Sequence, residues 1–301
     1  MNIEVRVPIS PQPHFFRQVK YLRRAFDARG GQYADARFLV SVGEDCEPYD
    51  LAANEPWSRG RIDWHWVNRD DFRAWSYHAT TLDRYGPAPE GDVVIFLDAD
   101  TMLIDHVDDV LDALAAEPAI AGVIAHTPPT TYDRPHIHWN DVFAALGRTL
   151  PVARFQHSGW GGMLSDPAHR FSPAYYNYGV VFFPRAIFTE IAARIRGSLE
   201  MTAGAPIHPG FRSQLGLTLA IYDTNARHVA LDLRYNFPND GWADELHGDE
   251  LANIRIIHYL REHVLGPRRE TWGDDNAFEA FLARTDLSGS NEVLRRAVAG
   301  L

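Results

Sequence analysis

Apolar and polar positions change period repeatedly over the first 125 residues, and the changes predict alternating strands and helices. Ile3–Ile9 is a β-branched run closed by Ser10 and Pro11. Residues 14–29 place Phe15, Val19, Leu22 and Phe26 at helical spacing, and Gly30-Gly31 stops them. Arg37–Val42 predicts a second strand and 62–67 a third, before a helical stretch over 71–85. The most apolar strand is 92–97. A helix at 107–116 and a fifth strand at 120–125 follow. Such alternation predicts a mostly parallel sheet with helices on both faces, an α/β fold whose ligand sits at the carboxyl ends of the strands. The residues just past those ends are therefore the candidates: Ser10, Asp45, Asp98, Asp100 and His126.

The pattern breaks between 126 and 177. This stretch is rich in Pro, Gly, His, Trp and Tyr and predicts only a short helix near 141–146. A long irregular insertion in an α/β domain is usually functional. A buried strand at 178–183 comes next, with helices at 186–196 and 214–222, late strands at 229–233 and 254–259, and a helical tail over 276–301. The expected organisation is one domain over 1–272, with a nucleotide-binding half (1–125) and an acceptor half (126–272). A helical extension at 273–301 completes it.

Composition narrows the function. The chain has 301 residues, 46% hydrophobic and 23% charged, which are globular values. Its net charge of −11 speaks against a nucleic-acid partner. No apolar run approaches the ~20 residues of a membrane span, and the N-terminus lacks the basic-then-apolar pattern of a secretion signal. Cys46 is the only cysteine, so no internal disulfide forms and the cytoplasm is the expected compartment. Lys20 is the only lysine, and it lies in a predicted helix. Walker-type phosphate binding, kinase lysine chemistry and Schiff-base catalysis are left without a candidate.

The strongest chemical feature is Val93-Val94-Ile95-Phe96-Leu97-Asp98-Ala99-Asp100. Two carboxylates leave a buried strand at i and i+2, so in an extended chain they share a side. That pair suits Mn²⁺ or Mg²⁺, which complete their shells with phosphate oxygens and water.

The segment, followed by Thr101 and an acidic helix, resembles the DxD segment of GT-A glycosyltransferases, and is most similar to the glycogenin and bacterial galactosyltransferase group, family 8. Asn177-Tyr178-Gly179-Val180-Val181-Phe182 is similar to that group's Asn-x-Gly strand, and Ile256-Ile257-His258-Tyr259 to its late histidine strand. The three occur in the family's order. The resemblance implies a GT-A fold and sugar transfer, with retained configuration, from a nucleoside-diphosphate donor, UDP-linked, to a saccharide or other hydroxyl acceptor. It implies Asp98, Asp100 and His258 as metal ligands, and Asn177, Gly179 and Gln214 beside the donor sugar. The family's Gly-x-x-Lys-Pro-Trp after the histidine is here Gly266-Pro267-Arg268-Arg269-Glu270-Thr271-Trp272, later and without the lysine. Arg268 or Arg269 then takes the diphosphate, which guanidinium binds bidentately.

Ser10, Asp45 and Tyr77 are the candidates for ribose and base, Tyr77 by stacking. In the insertion, Trp139, His157, Trp160, Tyr175 and Tyr176 offer flat faces for an acceptor sugar, and His136-x-His138 is a weak metal pair lacking a further ligand nearby.

Rival enzymes fit less well. Haloacid-dehalogenase phosphatases need a threonine where Met102 stands and a later lysine; nucleotidyltransferases need a Gly-rich loop after Ile9. A non-catalytic sugar- or nucleotide-binding protein on the same fold remains the alternative.

Overall fold

The structure, a computed structural model, describes residues 1–130, 136–159 and 167–301. Its strands in chain order are β1 (Ile3–Ile9), β2 (Arg37–Val42), β3 (Asp63–Trp66), β4 (Val93–Leu97), β5 (Thr101–Leu103), β6 (Ile120–Ile124), β7 (Phe155–Gln156), β8 (Phe171–Ser172), β9 (Tyr176–Pro184), β10 (His228–Ala230), β11 (Phe237–Pro238) and β12 (Ile256–His258). Seven form the central sheet, in the order β10-β6-β9-β4-β1-β2-β3. All neighbours pair in parallel except β9, which is antiparallel to both β4 and β6. The α/β fold and mostly parallel sheet expected from the alternation are present.

The antiparallel course of β9 matters for the site. Its N-terminal residues lie at the same sheet edge as the carboxyl ends of β1, β4 and β6. Leu97 pairs with Val180, and the Asp98 amide donates to the Gly179 carbonyl at 2.9 Å. Residues more than 80 positions apart in the chain are thus cross-strand neighbours.

β4 is buried at every position, as is β6. One core, on one face, contains Val5, Val7, Ile95, Leu97, Val123 and Phe182. The other face packs Val94, Phe96, Val181 and Phe183 against Phe188, Ile191 and Leu217. β1 also carries Glu4 and Arg6, both fully buried, on the second of these faces.

Several elements depart from expectation. The helix over 71–85 is two, Arg69–Trp75 and Tyr77–Asp83, because Ser76 takes a positive φ of 54° between them. β5 was not foreseen. It turns back directly after Asp100 and pairs antiparallel with β12, Thr101 opposite His258, while β11 flanks β12 on its other side. The tail forms two helices, Asp275–Leu282 and Gly289–Ala299. Phe278, Phe281, Leu294 and Val298 are buried in the same core as β1, and the Tyr259 and Trp272 rings stack at 4.9 Å beside them. Among the described residues no helix is long and apolar enough to cross a membrane.

Candidate metal and sugar-nucleotide site

Asp98 and Asp100 stand where β4 ends. The chain reverses at once into β5, held by the Thr101 amide and hydroxyl donating to the Asp98 carbonyl at 3.1 and 2.7 Å. The β5–β12 register then delivers His258, and the Tyr259 amide ties to the Asp100 carbonyl at 2.9 Å. His258 Nε2 lies 3.2 Å from Asp100 Oδ1. One ligand atom each from Asp98, Asp100 and His258 lies within 4.8 Å of the others, the spacing of a common cation.

His258 is oriented from behind by the Asn236 side-chain oxygen, 3.1 Å from Nδ1. A carbonyl oxygen only accepts, so Nδ1 carries a hydrogen, and Nε2 is the ring atom left to face Asp100 or to give a lone pair to a bound cation. Gly179 makes room for the ring: a Cβ there would lie 2.2 Å from His258 Cε1. The glycine of Asn-x-Gly is thus required by the histidine.

The donor set fits a hard divalent cation. Burial raises the Asp98 carboxyl above its ordinary value, and the nearby Arg84 guanidinium opposes that. For Asp100 burial also pushes upward, but the His258 charge and hydrogen bond and the Arg268 charge outweigh it and hold the carboxyl at about 2. Arg268 binds Asp100 Oδ2, and its Nε donates to Glu262 at 3.1 Å.

Two clefts meet at this cluster. The first, about 320 Å³, has Ser10, Phe15, Tyr77, Ser213 and Gln214 in its walls. The second, about 440 Å³, opens toward His126, Tyr175, Asn177, Gly179 and Arg261. Asp98, Asp100, Tyr178, Gln214 and Arg268 line both.

Most residues singled out in the sequence therefore converge. Asp45 does not. It sits on an exposed loop beyond β2, bound by Arg69 and Arg73 at 2.6 and 2.9 Å, outside both clefts. The insertion aromatics also differ from expectation. Trp139, His157 and Tyr176 are buried and packed on other side chains, so their faces are not open to a sugar; Tyr175 is buried but borders the second cleft. Trp160 lies outside the described residues. Gln214, near the start of helix Arg212–Asp223, is anchored by its Nε2 donating to the Tyr176 carbonyl at 3.0 Å.

The sequence reading missed Arg84. Its guanidinium is 1% exposed, lies 3.6 Å from Asp98 Oδ1, and is sandwiched by Phe96 and Tyr178, 4.5 and 4.7 Å from their centroids. Nothing around position 84 in the chain signals this. Asn236 was equally invisible.

Two histidines, His126 on the second cleft and the buried His157, are held neutral. Burial lowers His126 to about 3 and His157 to about 4. The unfolded chain takes up these protons first, so stability is full above pH 6.5 and falls as pH drops toward those folded values. Each group should cost about 1.4 kcal/mol at one unit below pH 6.5. Asp100, held at about 2, acts in the same sense, but only below about pH 4. Urea midpoints measured from pH 7.5 to 5 should fall, with the decline starting near 6.5. A flat profile down to pH 5 would contradict the buried neutral assignment.

Comparison with known proteins completes the picture. No protein-family model matches the chain, and no curated protein matches it. Solved structures do. The galactosyltransferase LgtC, in complex with donor and acceptor sugar analogues, matches with a TM-score of 0.56 and 15% identity over 98% of this chain and 96% of that one. An active-site mutant of LgtC gives 0.56 and 15% over 98% and 95%. The bifunctional glycosyltransferase WbbM gives 0.50 and 14% over 97% of this chain and 51% of its own. The fold is that of the GT-A glycosyltransferases, similar to family 8.

Proposed function

We propose that this chain is a metal-dependent glycosyltransferase that moves a sugar from a nucleoside-diphosphate donor, UDP-linked by its resemblance, to a saccharide or other hydroxyl acceptor. The observation that carries the reading is the Asp98–Asp100–His258 cluster, whose two carboxylates stand on the wall shared by two clefts and whose histidine lines the second. One cleft takes a nucleotide and the other an acceptor, and the reacting bond belongs at their junction.

Asp98, Asp100 and His258 would hold Mn²⁺ or Mg²⁺. When bound, the cation supplies positive charge to the diphosphate leaving group. The protein's own residues do the rest. Arg84 holds a buried positive charge beside Asp98 and keeps that carboxylate in place. Arg268 presents a fork suited to phosphate, and an incoming diphosphate competes with Asp100 for it. Tyr77, half exposed in the first cleft, offers a ring face to the base, and Ser10 a hydroxyl to the ribose. Asn177 and Gln214 turn amide groups toward the sugar, whose ring carries positive charge as the bond breaks. Retention of configuration belongs to the same reading, as does a cytoplasmic setting.

Thermal unfolding with UDP, GDP, CDP and dTDP, each with and without Mn²⁺, tests the proposal. One nucleotide should stabilise the protein only when Mn²⁺ is present. At a hundred times its dissociation constant the gain is about 2.7 kcal/mol. No response to any pair would sink the reading. A response without turnover over a panel of donor sugars and acceptors would favour the non-catalytic alternative.

A further inference from the structure

We infer that Ser158 and His126 are a positioning pair that sets which way round the Asn177 carboxamide faces the second cleft. This rests on the glycosyltransferase reading, in which Asn177 meets the sugar.

Ser158 lies between β7 and β8, and its hydroxyl donates to the Ile124 carbonyl at 2.7 Å. A carbonyl only accepts, so the single hydroxyl hydrogen is spent there. His126 Nδ1, 2.8 Å from the same oxygen, must then be the donor. A neutral imidazole with its hydrogen on Nδ1 has a bare Nε2. Burial keeps the ring neutral, with its protonation pushed down to about 3. Asn177 Nδ2, 3.2 Å from Nε2, therefore donates to it. The other end of the amide agrees: the Gly179 N–H donates to Asn177 Oδ1 at 3.2 Å.

Three hydrogen bonds thus run one way, from Asn177 through His126 and Ser158 to a main-chain carbonyl. Turning the amide over would set an oxygen against a bare nitrogen and an NH₂ group against an N–H. Both contacts would be lost, and each polar atom would be left unpaired near the cleft. The orientation leaves one Nδ2 hydrogen and one Oδ1 lone pair for a ligand.

The loop that carries Ser158 is held for the purpose. His157 Nδ1 donates to the Ala125 carbonyl at 2.8 Å, and the Gly159 amide to the His126 carbonyl at 3.0 Å. His247 Nε2 lies 3.1 Å from the Ser158 carbonyl. Gly159 is needed for this approach, because a Cβ there would lie 2.5 Å from the His126 carbonyl oxygen. Among its described residues, the insertion therefore reaches the site through hydrogen-bond direction.

Two measurements on the full chain test the inference. The first is long-range ¹H–¹⁵N correlation of the imidazoles at pH 7, which needs no substrate. His126 should carry its hydrogen on Nδ1 with Nε2 bare, and Ser158→Ala should shift the ring toward the other tautomer. A hydrogen on Nε2 in the unaltered protein, or a tautomer indifferent to Ser158→Ala, overturns the proposal. The second is release of the nucleoside diphosphate from the donor sugar in the presence of Mn²⁺. His126→Leu should lower kcat roughly ten- to a hundred-fold, the usual effect of losing an orienting partner, with KM for the donor little changed. His126→Gln, whose amide oxygen can accept from Asn177, should recover most of the rate. Equal losses in both variants, or a loss confined to KM, would assign His126 to packing alone. Nucleotide- and Mn²⁺-dependent stabilisation should survive in His126→Leu. Its absence in the unaltered protein would instead sink the glycosyltransferase reading, while the tautomer measurement would still judge the hydrogen-bond chain.

Discussion

Asp100→Asn should lower metal-dependent turnover by at least about a thousand-fold, a rise of about 4 kcal/mol in the barrier. Asn keeps the size of the side chain but removes its charge, and with it the oxygen donor best suited to a hard cation. The loss should appear in kcat as well as in Mn²⁺ affinity, because the cation acts on charge that develops only as the glycosidic bond breaks. The fold should persist. The main-chain bond between the Asp100 carbonyl and the Tyr259 amide does not involve the side chain, and β5 and β12 keep their register. Assays of donor consumption with Mn²⁺, beside melting curves, would check both halves. Turnover within tenfold of the unaltered protein would remove Asp100 from the cation site.

The largest effect on stability should come from Glu4→Ala, which is expected to cost about 3–5 kcal/mol, the usual penalty for breaking a buried ion pair from one side. Glu4 and Arg6 sit two apart on β1, on one face and fully buried. Glu4 Oε1 accepts from Arg6 Nε at 2.7 Å, and Oε2 accepts from the Glu90 and Gly91 amides at 2.7 and 3.0 Å. Burial pushes the Glu4 carboxyl upward, but the Arg6 charge and these hydrogen bonds leave it below its ordinary value, charged at neutral pH. Alanine would strand the Arg6 guanidinium over the Phe188 ring, 4.6 Å from its centroid, with its hydrogen-bonded counter-charge gone and only the Asp83 charge left to oppose it. The damage should reach the site as well. Arg6 Nη1 donates to the Arg84 carbonyl at 2.6 Å, and Arg84 in turn faces Asp98. Urea denaturation would measure the first effect and Mn²⁺ affinity the second. A change below 1 kcal/mol would mean that water reaches Arg6 once Glu4 is gone.

Neither Glu4 nor Arg84 stands out in the sequence, and the reason is physical. Glu4 and Arg6 read as the polar positions of an ordinary half-exposed strand, whereas the sheet has helices on both faces and buries them. The aromatics of the insertion misled in the opposite direction. Trp139, His157 and Tyr176 look like a sugar platform in composition, but Trp139 joins Val142, Phe143 and Tyr175 in a small core, Tyr176 opens β9 and packs in the core of the sheet, and buried His157 is tied to the Ala125 carbonyl. Asp45 follows a strand end as a ligand residue should, yet Arg69 and Arg73 draw it to the surface, and that depends on where the next helix lies.

By itself the sequence determined the alternation of elements, the apolar strand that ends in Asp98 and Asp100, and the chemical types available to the site. These rest on local period and side-chain identity, which the chain carries wherever it folds. Only the tertiary structure decided that β9 runs antiparallel, so that Asn177 and Gly179 arrive beside Asp98. It alone set the β5–β12 register that brings His258 to Asp100 across more than 150 positions of chain, and the direction of the hydrogen bonds that orient Asn177. Register and hydrogen-bond direction are settled between segments far apart in sequence, by which pairing buries every apolar face and leaves the fewest polar atoms unpaired.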